Sequence, residues 1–201
     1  YNGVDMQSRM VRMALDVAND GINIGGAVGI SGDYIERAQA LIEVGATFLC
    51  VDVAHGHHIL MREAIESIRS SVGDSVHIMA GNVATLEGIN DLADWGADSI
   101  RCNIGGGSIC STRVQTGHGV PGLQTILDCS KTDRQVTIIA DGGIKNSGDM
   151  VKAFACGADA VMCGSLLAGT DETPGKVIED SSGSRWKTYR GMASKEAQVN
   201  W

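Results

Sequence analysis

Residues 103–113 read NIGGGSICSTR. Cys110 sits here outside any apolar run, after a glycine-rich backbone and three residues before Arg113. Main-chain N–H groups and a nearby cation raise the thiolate fraction of such a thiol. A thiolate is a nucleophile for an electrophilic carbon. Thr112 lies close enough in sequence to share the site and relay a proton. The residues alone leave other readings open: an inert loop cysteine, a phosphate loop or a flexible linker.

Further along, ADGGIKNSGD places Gly142 and Gly143 between an apolar run and a helical pattern, and CGSLLAG places Gly164 and Ser165 after the next apolar run. Backbone N–H groups at such turns suit phosphate, although tight turns alone also demand glycine. Asp141 stands at the tip of its run with no hydrophobic reason to be there. It could accept hydrogen bonds from a ribose diol, or cap or brace a loop. Asp52 holds the equivalent place in DVAHG, with His55, His57 and His58 behind it. No metal-ligand spacing supports a metal there, so we expect exposed loop histidines.

Positioning these groups requires a repeating frame. Three times a helical pattern ends in Gly-Ala, an apolar strand follows, and then a glycine-rich loop: EVGATFLCVDVAHG, DWGADSIRCNIGGG and ACGADAVMCGSLLAG. Glycine at a helix end takes the left-handed conformation that stops it. Continuous apolar strands are buried on both faces, as in parallel sheets. With strands over 24–30, 76–80 and 136–141, six strands are expected. Helices are expected over 5–19, 33–44, 57–71, 85–95, 121–131 and 146–156. Ser31 or Asp33, Thr85, and Asn146 or Ser147 are the candidate N-caps. A polar turn over 179–184 predicts a hairpin. Repeated β-α units mean a doubly wound sheet or an α/β (β/α)8 TIM barrel. The barrel is favoured if two units lie outside this chain, because every glycine-rich stretch falls in a loop after a strand, where barrels keep their functional residues.

Composition narrows the class. The 201 residues suffice for one domain over 1–201 with a sizeable core, 43% are hydrophobic and 20% charged, as in globular proteins. The net charge of -8 and the lack of a basic run exclude a nucleic-acid surface. Six cysteines without C-x-x-C spacing suggest reduced thiols and a cytoplasmic location. No apolar run is long enough to cross a bilayer, so no membrane partner is expected. The chain begins without methionine and reads as part of a longer one.

NIGGGSICSTR, TGHGVP, ADGGIKNSGD, GSLLAGT and YRGM follow one another in an order that resembles the IMP dehydrogenase/GMP reductase family. The likeness runs from GGAVG at 25–29 to YRGMASK at 189–195. It implies a (β/α)8 barrel, usually a tetramer, of which this chain holds strands three to eight. The first two strands, any regulatory insert after the second, and the flap with its Arg-Tyr pair would then lie outside it. It implies that Cys110 attacks C2 of a purine mononucleotide and that Thr112 handles the proton of water or ammonia. Ser108, Gly143, Gly164, Ser165 and Tyr189 would contact the phosphate, Asp141 the ribose diol, and Gly191 and Met192 the base. Asp52, Asn82 and Arg101 would face the dinucleotide, NADPH or NAD. The carbonyls of Gly105, Gly107 and Cys110 would hold a potassium ion. Two departures stand out: Asn103 where the family usually has glycine, and Gly122 where glutamine commonly follows the proline.

The family runs two reactions, and three features resemble the reductase. They are Thr116-Gly117 after the cysteine loop, Val53-Ala54 after Asp52, and the tail GMASKEAQ, in which Glu196 could activate the ammonia leaving group. GSLLAGT and YRGM resemble the dehydrogenase equally. Outside these lie a nucleotide-binding barrel without turnover and a flavin-binding barrel that uses the same two phosphate loops.

Overall fold

The computed structural model describes residues 3–17, 23–173 and 175–191. Six strands form one parallel sheet: β1 (Gly25–Val28), β2 (Phe48–Asp52), β3 (His77–Val83), β4 (Ser99–Cys102), β5 (Thr137–Asp141) and β6 (Ala160–Met162). Each pairs with the next in chain order. A doubly wound sheet reverses its strand order at a switch point. Sequential order without reversal is the wall of a barrel, here six strands of it.

The helices are α1 (Gly3–Val17), α2 (Tyr34–Glu43), α3 (Ile59–Val72), α4 (Leu86–Asp94), α5 (Thr112–Thr116), α6 (Gly122–Cys129) and α7 (Ser147–Ala155). The expected helices are all present, trimmed by one or two residues at most ends, while α1 starts two residues earlier and α3 ends one later. α5 was not anticipated: it is a five-residue turn inside the cysteine loop, stopped by Gly117 at φ 70°. β7 (Val177–Glu179) and β8 (Arg185–Lys187) form the expected hairpin.

The Gly-Ala repeat now has its cause. Gly45, Gly96 and Gly157 all take φ near 105°. The following alanine then donates to the carbonyl five residues back: Ala46 to Leu41, Ala97 to Leu92 and Ala158 to Ala153. This is the Schellman closure of a helix. In two of the three, the next aspartate reaches sideways. Asp98 accepts from Ile78 N at 2.7 Å and Asp159 from Ile138 N at 2.8 Å. Each helix end is thereby pinned to the start of the preceding strand, which fixes where the opposite tips emerge.

The core lies between sheet and helices and is aliphatic. Leu41, Leu49, Ile65, Ile68, Ile78, Ile89, Leu92 and Ile100 have no exposed surface. β6 is half-buried throughout, since it stands at one edge of the described sheet. Thr85 caps α4 by accepting from Gly88 N, and Asn146 caps α7 by accepting from Asp149 N, as expected. Asp33 occupies the cap position of α2 but makes no cap bond. Its carboxylate instead meets Arg37 at 3.1 Å, a competitor one helical turn away.

Candidate active site

The candidate side chains of β2, β3, β4 and β5 gather where the strands end. Parallel register sets Asp52 beside Gly81, Gly81 beside Arg101, Arg101 beside Ile139, and Asp141 beside Met162. Arg101 can therefore reach both ways along the rim. Its Nη1 lies 2.7 Å from Asp52, and its Nη2 2.7 Å from Asp141 Oδ2. Nε adds a 3.1 Å bond to that same oxygen, and Asn82 Nδ2 another at 2.7 Å. Three donors thus converge on Oδ2 of Asp141. Gly81 makes room for this clamp: a Cβ there would lie 2.7 Å from Arg101 Cβ.

Arg101 is 12% exposed and Asp141 16%, whereas Asp52 is 45% exposed. Burial works to lower the pKa of Arg101, but the carboxylates of Asp141 and Asp52 hold it above its ordinary value. Cys50 lies on β2 beneath the same guanidinium. It is half-buried and its Sγ accepts from Arg101 Nη1 at 3.3 Å. Burial raises its thiol pKa, against the opposing pull of Arg101, so this sulfur stays a neutral thiol.

Cys110 is exposed, unlike buried Cys102 and Cys129. Its Sγ lies 3.2 Å from Thr112 Oγ1. Its N–H is held by Gly107 O at 3.1 Å, which closes the loop on itself. Arg113, expected as the thiol's cation, turns elsewhere. It donates to Val120 O at 3.0 Å and packs over Gly105 and Gly119, bracing the loop from behind. Ser108, Gly143, Gly164 and Ser165 are all exposed. Gly164 meets Tyr189 so closely that a Cβ would lie 2.4 Å from the Tyr189 hydroxyl. Gly143 stands over Gly106 O, and Gly191 over Ile109 O. The chain after the hairpin therefore returns to the cysteine loop. Met192 and Glu196 lie outside the described residues.

A cavity of about 320 Å³ opens behind this loop, among Asn103, Gly106, Arg113, Gly122, Asp141 and Lys152. Cys110 does not line it. The histidines have structural work. His58 caps α3 by accepting from Leu60 N, and His57 is half-buried and bonds Asp91 at 2.8 Å. That corrects the expectation for His57, since α4 brings Asp91 over the loop, whereas His55 and His58 are exposed as expected. No group of three His, Cys, Asp or Glu able to hold a metal occurs among the described residues. The potassium expectation concerns backbone oxygens instead, the hard donors an alkali cation takes. Gly107 O keeps one lone pair beyond its bond to Cys110 N.

Sequence reasoning grouped Asp52, Asn82 and Arg101 at the dinucleotide and set Asp141 apart at the ribose diol, and did not see the four joined. It gave no structural role to Asn103, whose side chain is buried at the base of the loop.

A parallel barrel wall with a thiol–hydroxyl pair and a clamped carboxylate on its rim is an enzyme-like arrangement. A family model described as the IMP dehydrogenase / GMP reductase domain matches residues 6–200, and the chain belongs to that family. It is 47% identical to the inosine-5'-monophosphate dehydrogenase of Nitrosopumilus maritimus over 178 residues, covering 88% of this chain and 37% of the relative. It is 45% identical to the GMP reductase of Leishmania major over 180 residues, covering 88% and 36%. Among solved structures, GMP reductase from Trypanosoma brucei in complex with guanosine 5'-monophosphate matches with TM-score 0.85 at 44% identity, over 89% of this chain and 38% of that one. Inosine 5'-monophosphate dehydrogenase from Legionella pneumophila matches with TM-score 0.83 at 49% identity, over 97% and 59%. The chain thus spans little more than a third of the curated relatives it matches.

Proposed function

We propose that this chain is the nucleotide-handling part of a purine mononucleotide oxidoreductase that works at C2 through Cys110, in the GMP reductase direction. The observation that carries the reading is the exposed Cys110 Sγ, 3.2 Å from Thr112 Oγ1, on a loop packed against the strand tip that bears Asp141. The Cys110 thiolate bonds to C2 of GMP. The amino group departs from C2 with one added proton as ammonia, and Thr112 is placed to pass that proton. The thioimidate left behind accepts hydride at C2 and releases the thiolate, giving IMP. In the opposite sense, hydride leaves C2 of IMP, water adds to the same adduct, and XMP departs from the thiol. The nicotinamide of NADPH or NAD supplies or takes the hydride when bound.

In this reading Asp141 offers Oδ1 to the ribose diol, because Arg101 and Asn82 already occupy Oδ2. Asp52, more exposed, faces the dinucleotide with Asn82 and Arg101. Ser108, Gly143, Gly164, Ser165 and Tyr189 take the phosphate, Gly191 and Met192 the base, and the carbonyls of Gly105, Gly107 and Cys110 a potassium ion. The reductase sense draws on Thr116-Gly117, Val53-Ala54 and Glu196. Thr116 Oγ1 donates to Thr112 O at 2.8 Å, which ties that segment to the residue handling the proton. We place the protein in the cytoplasm as a homotetramer.

Two assays on the full-length gene product test this: GMP with NADPH, scored for ammonia, and IMP with NAD+, scored for XMP. Ammonia from GMP supports the reductase. XMP from IMP without ammonia from GMP reverses the direction. Silence in both with nucleotide bound reduces the chain to a binding barrel.

A further inference from the structure

Asn103 has no part in the chemistry above, yet it is the one non-glycine residue among those described with a positive φ, 138°. Such backbone persists in L residues only where the surroundings over-determine it. Glycine would remove the strain, so the side chain must be contributing something at this position. Its Nδ2 donates to Asp141 O at 2.7 Å. The reverse orientation of the carboxamide would set oxygen against oxygen there, which fixes the assignment. The main chain of Asn103 joins the neighbouring strand as well: its N–H donates to Val83 O at 2.9 Å, and its O accepts from Asn82 Nδ2 at 2.8 Å. One residue therefore links the tips of β3, β4 and β5.

The other side of the carboxamide supports the cysteine loop. A Cβ at Gly106 would lie 1.9 Å from Asn103 Nδ2. The next residue, Gly107, holds Cys110 N through its carbonyl, and Gly142 packs directly on the Gly106–Gly107 backbone. Asn103 is 4% exposed, and its Oδ1 is buried without a hydrogen-bond partner. A group that leaves an acceptor unsatisfied is held by what its other atoms do. The carboxamide is a wedge between the strand tip carrying Asp141 and the loop carrying Cys110.

We propose that Asn103 is a positioning residue, whose carboxamide sets the Cys110 loop relative to Asp141. The inference rests on the reading of those two residues as nucleophile and ribose partner. Its test is a cycle of N103G, G106A and the double variant in the full chain, read by the rate of Cys110 alkylation with iodoacetamide and by melting temperature. N103G suits the positive φ and should fold. It is expected to change the alkylation rate about threefold or more. G106A should displace the carboxamide and reproduce that change, but add nothing in the N103G background. N103D, which keeps the shape and loses the donor to Asp141 O, should behave like N103G and decides the matter if G106A does not fold. An N103G chain with the alkylation rate of the unchanged chain overturns the proposal, whatever its melting temperature. So do effects of N103G and G106A that simply add. Failure of GMP and IMP to slow alkylation of the unchanged chain would instead count against the proposed function, and the cycle would still decide the role of Asn103.

Discussion

Replacing Arg101 with methionine tests how the rim is held together. Arg101 sits between Asp141 and Asp52 with 12% of its side chain exposed. Methionine keeps the aliphatic stem over Gly81 but leaves Asp141, among the described residues, with Asn82 as its one remaining side-chain donor. Removing one partner of a buried pair costs roughly 3–5 kcal/mol. The lower end applies here, because Asn82 still satisfies Oδ2. The Asp52 contact adds at most about 1 kcal/mol, since that carboxylate is nearly half exposed and water screens it. The expected loss is about 3–4 kcal/mol, a melting temperature lower by roughly 6–16 °C for a chain of this size. Thermal and urea unfolding followed by circular dichroism would measure it. A second change, D141N in the R101M background, removes the stranded charge and should recover at least half of the loss. Two results would refute the reasoning: R101M melting within about 2 °C of the unchanged chain, or a double variant no more stable than R101M.

Other expectations follow from the same geometry. C110A should lose turnover by at least about 10³-fold while keeping nucleotide affinity, measured by the two assays and by calorimetry; retained activity would remove the covalent step. G81A sets a Cβ 2.7 Å from Arg101 Cβ and 2.9 Å from its carbonyl, so overpacking should cost about 1–3 kcal/mol in urea unfolding. A neutral result would mean that the two strands separate easily. In the hairpin, Asp180 accepts from the Ser182 hydroxyl, from Trp186 Nε1 and from the amides of Ser184 and Ser182, which pull its pKa from 3.8 down to about 2. A depressed carboxyl pKa supports the fold above its unfolded value and loses that support as pH falls through the folded one. Hairpin order should hold down to about pH 4 and fade toward pH 2, seen in the Trp186 indole N–H resonance and absent in D180N. A midpoint near 3.8 would contradict the hydrogen-bond set.

Much of the frame was legible because its signals are local. The Gly-Ala-Asp turns, the caps at Thr85 and Asn146 and the polar hairpin turn each depend on residues a few positions apart, and all appear where expected. The pairing of Cys110 with Thr112 was legible for the same reason. The rim network was not, because it is made by sheet register. Nothing near Arg101 in sequence says that it will bond Asp52, forty-nine residues before it, and Asp141, forty residues after it. Asn103 was visible only as a departure from the family's usual glycine. Its purpose needed Asp141 O and Gly106 in place. Arg113 shows the opposite error: sequence proximity suggested a cation for the thiol, but the turn of α5 carries the guanidinium to Val120.

The central claim is that Cys110 is the nucleophile of a purine-nucleotide site. The most direct measurement is the alkylation rate of each of the six cysteines, by peptide mass mapping, with and without GMP or IMP. Exposed Cys110 is expected to react first, and either nucleotide to slow it by about tenfold or more, with buried Cys102 and Cys129 as internal references. Alkylation of Cys110 at the same rate with saturating nucleotide would contradict that claim.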